Sequence, residues 1–219
     1  MELPALSRRW VFFPFEGQRA FFEWLSFFGV SGLLERAPRG DGHPVLVLPG
    51  FLAGDDSTRI LRSYLKSLGY AVHPWLQGRN LAHPGVRDDL VDRVTELQQR
   101  YDRKLSLVGW SLGGVYARAL ARRMPEHVRQ VITLGSPFGA SSPPPVPSTA
   151  IFSKSDGITP WQACREPVGP RLENIEVTGS HCGLGWNALV LWAIADRLSQ
   201  LEGDWRPFAR DGWRSVAYG

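Results

Sequence analysis

The sequence predicts an α/β protein: a mainly parallel central sheet with helices on both faces. Three observations predict it. Short unbroken apolar runs, such as VLVL at 45–48 and LSLVGW at 105–110, read as strands buried on both faces. Between them lie longer segments whose apolar residues recur at helical spacing. The two kinds of segment alternate, and strands separated by helices pair in parallel through right-handed crossovers. The 219 residues, 43% hydrophobic and 21% charged, fit one domain. It divides into an aromatic-rich helical extension (1–43), a core (44–202) and a tail (203–219).

In the extension, Arg8 and Arg9 precede WVFFPFEGQRAFFEWLSFFGVSGLLERAP. Pro14, Glu16, Arg19, Glu23 and Glu35 interrupt it, so no apolar run reaches the roughly 18 residues of a membrane span. The piece WLSFFGVSGLL has the apolar character of a secretory signal, but Glu23 adjoins it and no small-x-small cleavage site follows. An amphipathic helix packed on the core is the plain reading. A role at a lipid surface or at a substrate mouth is its rival, and secretion stays open beside a cytoplasmic, membrane-peripheral location. Lys and Arg number 25 against 21 Asp and Glu, without a run of about five like charges, so a nucleic-acid partner is not expected.

The core begins at Pro44. After VLVL, the segment STRILRSYLKSLGY places Ile60, Leu61, Tyr64, Leu65 and Leu68 at helical spacing, with Gly69 as the stop. AVHPW (71–75) is the next strand. GVRDDLVDRVTELQQRYD puts Val86, Leu90, Val94 and Leu97 on one stripe. LSLVGW is a strand, VYARALARRM a helix closed by Pro125, and VRQVITLGSPF a strand ending at Gly135. SSPPPVPS stands where a further helix would come. STAIFSKSD (148–156) and NIEVTG (174–179) are the last strands, and NALVLWAIADRLSQL closes with Leu189, Trp192, Ala193 and Leu198 facing inward. The tail shows no period.

In such sheets, sites form beyond the carboxyl ends of the strands. Ser111 stands there, fenced by Gly109 and Gly113 in G-W-S-L-G between a strand and a helix. Glycines two before and two after leave room for a sharp turn that exposes the hydroxyl at a helix N-terminus, which favours negative charge. A serine nucleophile needs a base, and the base an orienting carboxylate. His181, in a glycine-rich loop between the last strand and the last helix, fits the base; His43, His73, His83 and His127 fit structural positions. Asp156 follows a strand at its carboxyl end; Asp196 sits within the last helix, Asp204 beyond it, and Asp55 and Asp56 early in the chain. The oxyanion donors would be the N–H of Leu112, next after the serine, and the N–H of Phe51, in the LPGFLAGDD loop that Gly50 allows to turn closely.

These segments, VLVLPGF, LVGWSLGG, ITLGSPFG, SKSDGITPW and GSHCGLGWN, span about 45–187 and resemble the α/β-hydrolase superfamily. They are similar to the small bacterial lipases that lack a large lid domain, so the cap should be minimal or absent. Pro49 and Trp110 stand where many lipases carry histidine, which reshapes the pocket wall. The resemblance implies an acyl-enzyme hydrolysis of carboxylic esters by Ser111, His181 and Asp156, without metal or cofactor. The substrate would be a small-molecule, lipid or polymer ester. An acyltransferase or thioesterase with the same triad is the alternative enzyme, and a non-catalytic binding module the alternative of another class. Leu52, Trp110, Phe138, Trp161, Leu184 and Trp186, all expected in loops at the mouth together with Phe51, would form an apolar acyl-binding cleft. Cys164 and Cys182 are the only cysteines; a bridge between them and two free thiols both stay open.

Overall fold

The computed structural model describes residues 11–219, without the side chains of Phe28 and Ser31. Arg8 and Arg9 lie outside the described residues. Six strands form one parallel sheet: β1 (Pro44–Leu48), β2 (Ala71–His73), β3 (Leu105–Trp110), β4 (Val128–Leu134), β5 (Ser148–Phe152) and β6 (Leu172–Glu176), in the order β2-β1-β3-β4-β5-β6. Five helices of more than one turn accompany them: α1 (Glu16–Gly29), α2 (Arg59–Ser67), α3 (Val86–Tyr101), α4 (Leu112–Arg123) and α5 (Ala188–Leu198).

Alternation along the strands sorts side chains onto the two faces. Val45 and Val47 join one cluster, with Leu61 and Leu65 of α2 and Val190, Leu191 and Ile194 of α5. Leu46 and Leu48 join the other, with Leu90, Val94 and Leu97 of α3 and Ala117, Leu120 and Ala121 of α4. Each face is therefore a continuous apolar layer, as a sheet covered on both sides requires.

Strand ends depart from the expected limits for local reasons. β2 stops at His73 because Pro74 has no N–H to continue the ladder. β5 stops at Phe152 because the Ser153 hydroxyl takes the Ser155 N–H at 3.1 Å and turns the chain. β6 starts two residues and ends three residues earlier than expected, Glu176 pairing with Phe152 at the end of β5. In α5 Val190, Leu191, Ala193, Ile194, Ala195, Arg197 and Leu198 are buried, so Ala193 and Leu198 face inward as expected, whereas Leu189 and Trp192 are only partly covered. Trp192 meets Trp213 of the tail edge-on at 5.2 Å instead of the sheet. That tail is irregular yet anchored: Phe208 and Tyr218 are buried, 4.8 Å apart between ring centres.

The chain runs from β4 to β5 through SSPPPVPS without a helix. Leu48 is in register with Gly109, Trp110 with Leu134, and Leu134 with Ile151. The carboxyl ends of β1, β3, β4 and β5 are thus level, and the loops that leave them emerge side by side. No helix among the described residues is long and apolar enough to cross a membrane.

Candidate active site

Ser111 occupies the single residue between β3 and α4, with φ +52° and ψ −121°. A side chain other than glycine there costs on the order of 1–3 kcal/mol and persists only where its surroundings enforce it. The surroundings do so by close backbone approach. A Cβ on Gly113 would lie 2.2 Å from the Leu48 carbonyl oxygen, and one on Gly109 2.4 Å from the Gly113 oxygen. The Ser111 N–H donates to the Leu134 carbonyl at 2.8 Å, clamping the turn to the end of β4.

Asp156 is buried beyond β5. Its Oδ1 accepts the N–H groups of Ile158 and Thr159, each at 2.7 Å, and its Oδ2 accepts the Thr159 hydroxyl at 2.8 Å. Oδ2 also meets His181 Nδ1 at 2.6 Å. Four partners thus fix one carboxylate, and the imidazole is oriented through Nδ1 with Nε2 left over. The base loop is held from a third direction, because the Trp110 indole N–H donates to the His181 carbonyl at 3.1 Å. Trp110 directly precedes Ser111, so this contact ties the serine turn to the histidine loop. The Ser111 hydroxyl and His181 Nε2 do not hydrogen-bond each other, and neither has another such partner among the described residues. Unliganded active sites often keep this link open.

No family model matches the sequence, and no curated protein matches it. Solved structures do. A metagenome-derived lipolytic enzyme superposes with a TM-score of 0.59 at 18% identity, over 72% of this chain and 94% of that one. A pyrethroid hydrolase from Sphingobium faniae gives 0.57 at 16%, over 71% and 97%. A hydrolase assigned to the α/β superfamily, from Xanthomonas campestris, gives 0.52 at 19%, over 72% and 97%. The chain has the α/β-hydrolase fold.

Within this α/β-hydrolase fold, the loop after β1 lies against the serine. A Cβ on Gly50 would be 3.2 Å from that of Ser111, and neither the Phe51 nor the Leu112 N–H donates a hydrogen bond among the described residues. Phe51 and Leu52 are each 56% exposed, and Leu52 is held at φ +62°. They are the two expected mouth residues that point outward. Trp110, Phe138 and Leu184 are buried instead. Trp110 is spent on the His181 carbonyl, Phe138 lies under the Arg118 guanidinium at 3.8 Å, and Leu184 fills the core beside Gly135. Trp186 is partly covered and donates to the Ala20 carbonyl of α1 at 2.9 Å. Trp161 stacks on Phe152 at 5.8 Å and lines a groove of about 620 Å³ with Arg165 and Val168.

Both cysteines are free. Cys164 turns its thiol toward the Thr159 hydroxyl and the Pro160 carbonyl, each at 3.6 Å, and burial pushes it up to about 12. A cavity of about 280 Å³ opens at the other end of the sheet, lined by Lys104, Arg129 and Trp205 among others, and holds none of the three site residues. Among the described residues, no group of three or more His, Cys, Asp or Glu side chains is placed to hold a metal ion.

The residues that sequence reading missed are on α1. Glu16, Arg19 and Glu23 contact the Asp156 and His181 loops directly. Their signal was present: charges at intervals of three and four in an aromatic helix lie on one face.

Proposed function

We propose that the protein is a carboxylic-ester hydrolase that works through an acyl-enzyme on Ser111. The observation that carries this reading is the Asp156–His181 pair, bonded at 2.6 Å, set beside a strained serine turn whose hydroxyl is uncommitted. In the proposed cycle Ser111 attacks the ester carbonyl as His181 Nε2 takes its proton. Asp156 keeps the proton on Nδ1 and balances the imidazolium charge. The N–H groups of Phe51 and Leu112 receive the oxyanion. His181 then protonates the leaving alcohol and activates water for deacylation.

Phe51, Leu52 and Ile158, exposed around the serine, favour an apolar acyl group. The exposed Phe13, Phe15, Phe21 and Phe22 of the N-terminal segment fit a substrate presented at a lipid surface. The test is turnover of p-nitrophenyl esters of increasing acyl length, together with a fluorophosphonate mapped by mass. The expected result is hydrolysis that improves with acyl length and a covalent adduct on Ser111. An adduct elsewhere, or none, would overturn the mechanism.

A further inference from the structure

One buried carboxylate joins the acid loop to the base loop. Glu16 Oε1 accepts the Gly157 N–H at 2.8 Å, and its Oε2 accepts the Cys182 N–H at 3.1 Å. Gly157 directly follows Asp156, and Cys182 directly follows His181. The Glu16 side chain is only 7% exposed, so its charge sits out of water and depends on these partners. Arg19 lies 3.5 Å from Glu16 and donates to the Ser155 carbonyl and hydroxyl at 2.7 and 2.9 Å. Two turns along α1, Glu23 accepts the Ser180 N–H at 2.6 Å. Both catalytic side chains are therefore flanked on each side by residues that hydrogen-bond to α1. The packing leaves no slack: a Cβ on Gly157 would lie 2.7 Å from the Phe13 nitrogen, and one on Gly183 2.0 Å from Glu23 Oε2.

We propose that Glu16 is a positioning residue for the reaction: its carboxylate fixes the separation of the two loops and sets a second negative charge beside the base loop. The inference rests on the ester-hydrolase reading above. A tie that only fastened a helix could use any exposed N–H. This one takes the two peptide groups next to the acid and the base, where a displacement of about 1 Å can lower turnover about a hundredfold. The negative field is visible at Cys182, whose thiol is pushed up to about 11 by burial and then by Glu16, Asp156 and Glu23. Asp156 and Thr159 from the acid loop meet His181 Nδ1, Cys182 adjoins it, and Glu16 and Glu23 of α1 accept the N–H groups of Cys182 and Ser180 on either side of it. The nearest cation on α1, Arg19, is engaged by Ser155 and Glu16.

The experiment compares the full chain with Glu16→Gln and Glu16→Ala on a short soluble p-nitrophenyl ester. Turnover is expressed per serine labelled by a fluorophosphonate, so misfolded molecules do not count. Glu16→Ala should lower kcat about tenfold with KM nearly unchanged. Glu16→Gln, which keeps one acceptor oxygen, should recover part of that loss. In both, the acid limb of the kcat/KM profile should move to lower pH by several tenths of a unit, since losing a nearby negative charge makes the imidazolium easier to deprotonate. If Glu16→Ala does not fold, Glu16→Gln decides. An acid limb left in place in Glu16→Gln overturns the proposal, whatever happens to kcat. A wild-type chain that neither turns over esters nor labels at Ser111 removes the hydrolase reading, and this inference with it.

Discussion

Strand β3 carries a serine–histidine–aspartate set at each end, and the two are built differently. At the amino end, the Ser106 hydroxyl meets His43 Nε2 at 2.8 Å and His43 Nδ1 meets Asp41 at 2.5 Å. Asp41 is held in turn by Arg103 at 2.7 Å and Arg129 at 2.9 Å. Every link is closed, yet His43 and Ser106 are 0% exposed and Ser106 lies within the strand, paired with Val45 and Gln130. Burial, then the charge of Arg129, pushes His43 down to about 4. At the carboxyl end the Asp156–His181 link is closed, while the serine sits on a strained turn with its hydroxyl unspent. A relay with no open position and no access is a structural network; a reacting site needs one unfilled hydrogen bond facing solvent.

The largest test of this contrast exchanges the two serines. Ser111→Ala should lower kcat by on the order of 10⁴–10⁶ while leaving the Tm unchanged or slightly raised, since the hydroxyl has no partner to lose. Ser106→Ala should keep kcat/KM within about twofold but cost about 1–3 kcal/mol in urea unfolding, because His43 Nε2 loses its buried partner. Activity that followed Ser106 would reverse the assignment.

A smaller effect comes from pH. The folded chain holds His43 and His73 near 4, both mainly through burial, while the unfolded chain titrates near 6.5. Between those values the unfolded chain binds protons that the folded one refuses, so stability falls as pH drops from about 6.5 toward about 4. Asp41 does not contribute in that window: burial raises it, but hydrogen bonds from Arg129 and His43 hold it well below the usual carboxylate range. Urea unfolding at pH 7 and pH 5 should show wild type losing about 1 kcal/mol more than His43→Gln. Equal losses would mean that the amino-end histidine is not held neutral by the fold.

The smallest effect sharpens the comparison at the carboxyl end. Leu52→Gly relieves a positive φ and should raise stability by about 0.5–1 kcal/mol while raising KM for long-chain esters. A stability gain without a change in KM would mean that the strained leucine does not touch substrate.

Much of this was legible along the chain. Strand β3 and the α3 stripe of Val86, Leu90, Val94 and Leu97 follow from local pattern alone, because a sheet covered on both faces demands unbroken apolar runs and one-sided helices. The placement of Ser111, Asp156 and His181 beyond the carboxyl ends of strands was legible for the same reason: each follows a recognisable strand. Which of the loop aromatics are buried was not legible. Aromatic residues in loops look alike in sequence whether they line a cleft or brace one, and Trp110 and Trp186 brace through indole N–H groups whose acceptors are 71 and 166 residues away. Glu16 and Glu23 looked like interruptions of an apolar helix, since their partners lie more than a hundred positions downstream.

That distance has a consequence for assembly. Glu16 leaves the ribosome 141 positions before Gly157 and 166 before Cys182. The carboxylate of α1 must therefore wait, unsatisfied, until the histidine loop has been made before it finds both amides. The two loops are then fixed to each other late and all at once, and a fragment ending before the histidine loop could own a well-formed sheet without the joined site.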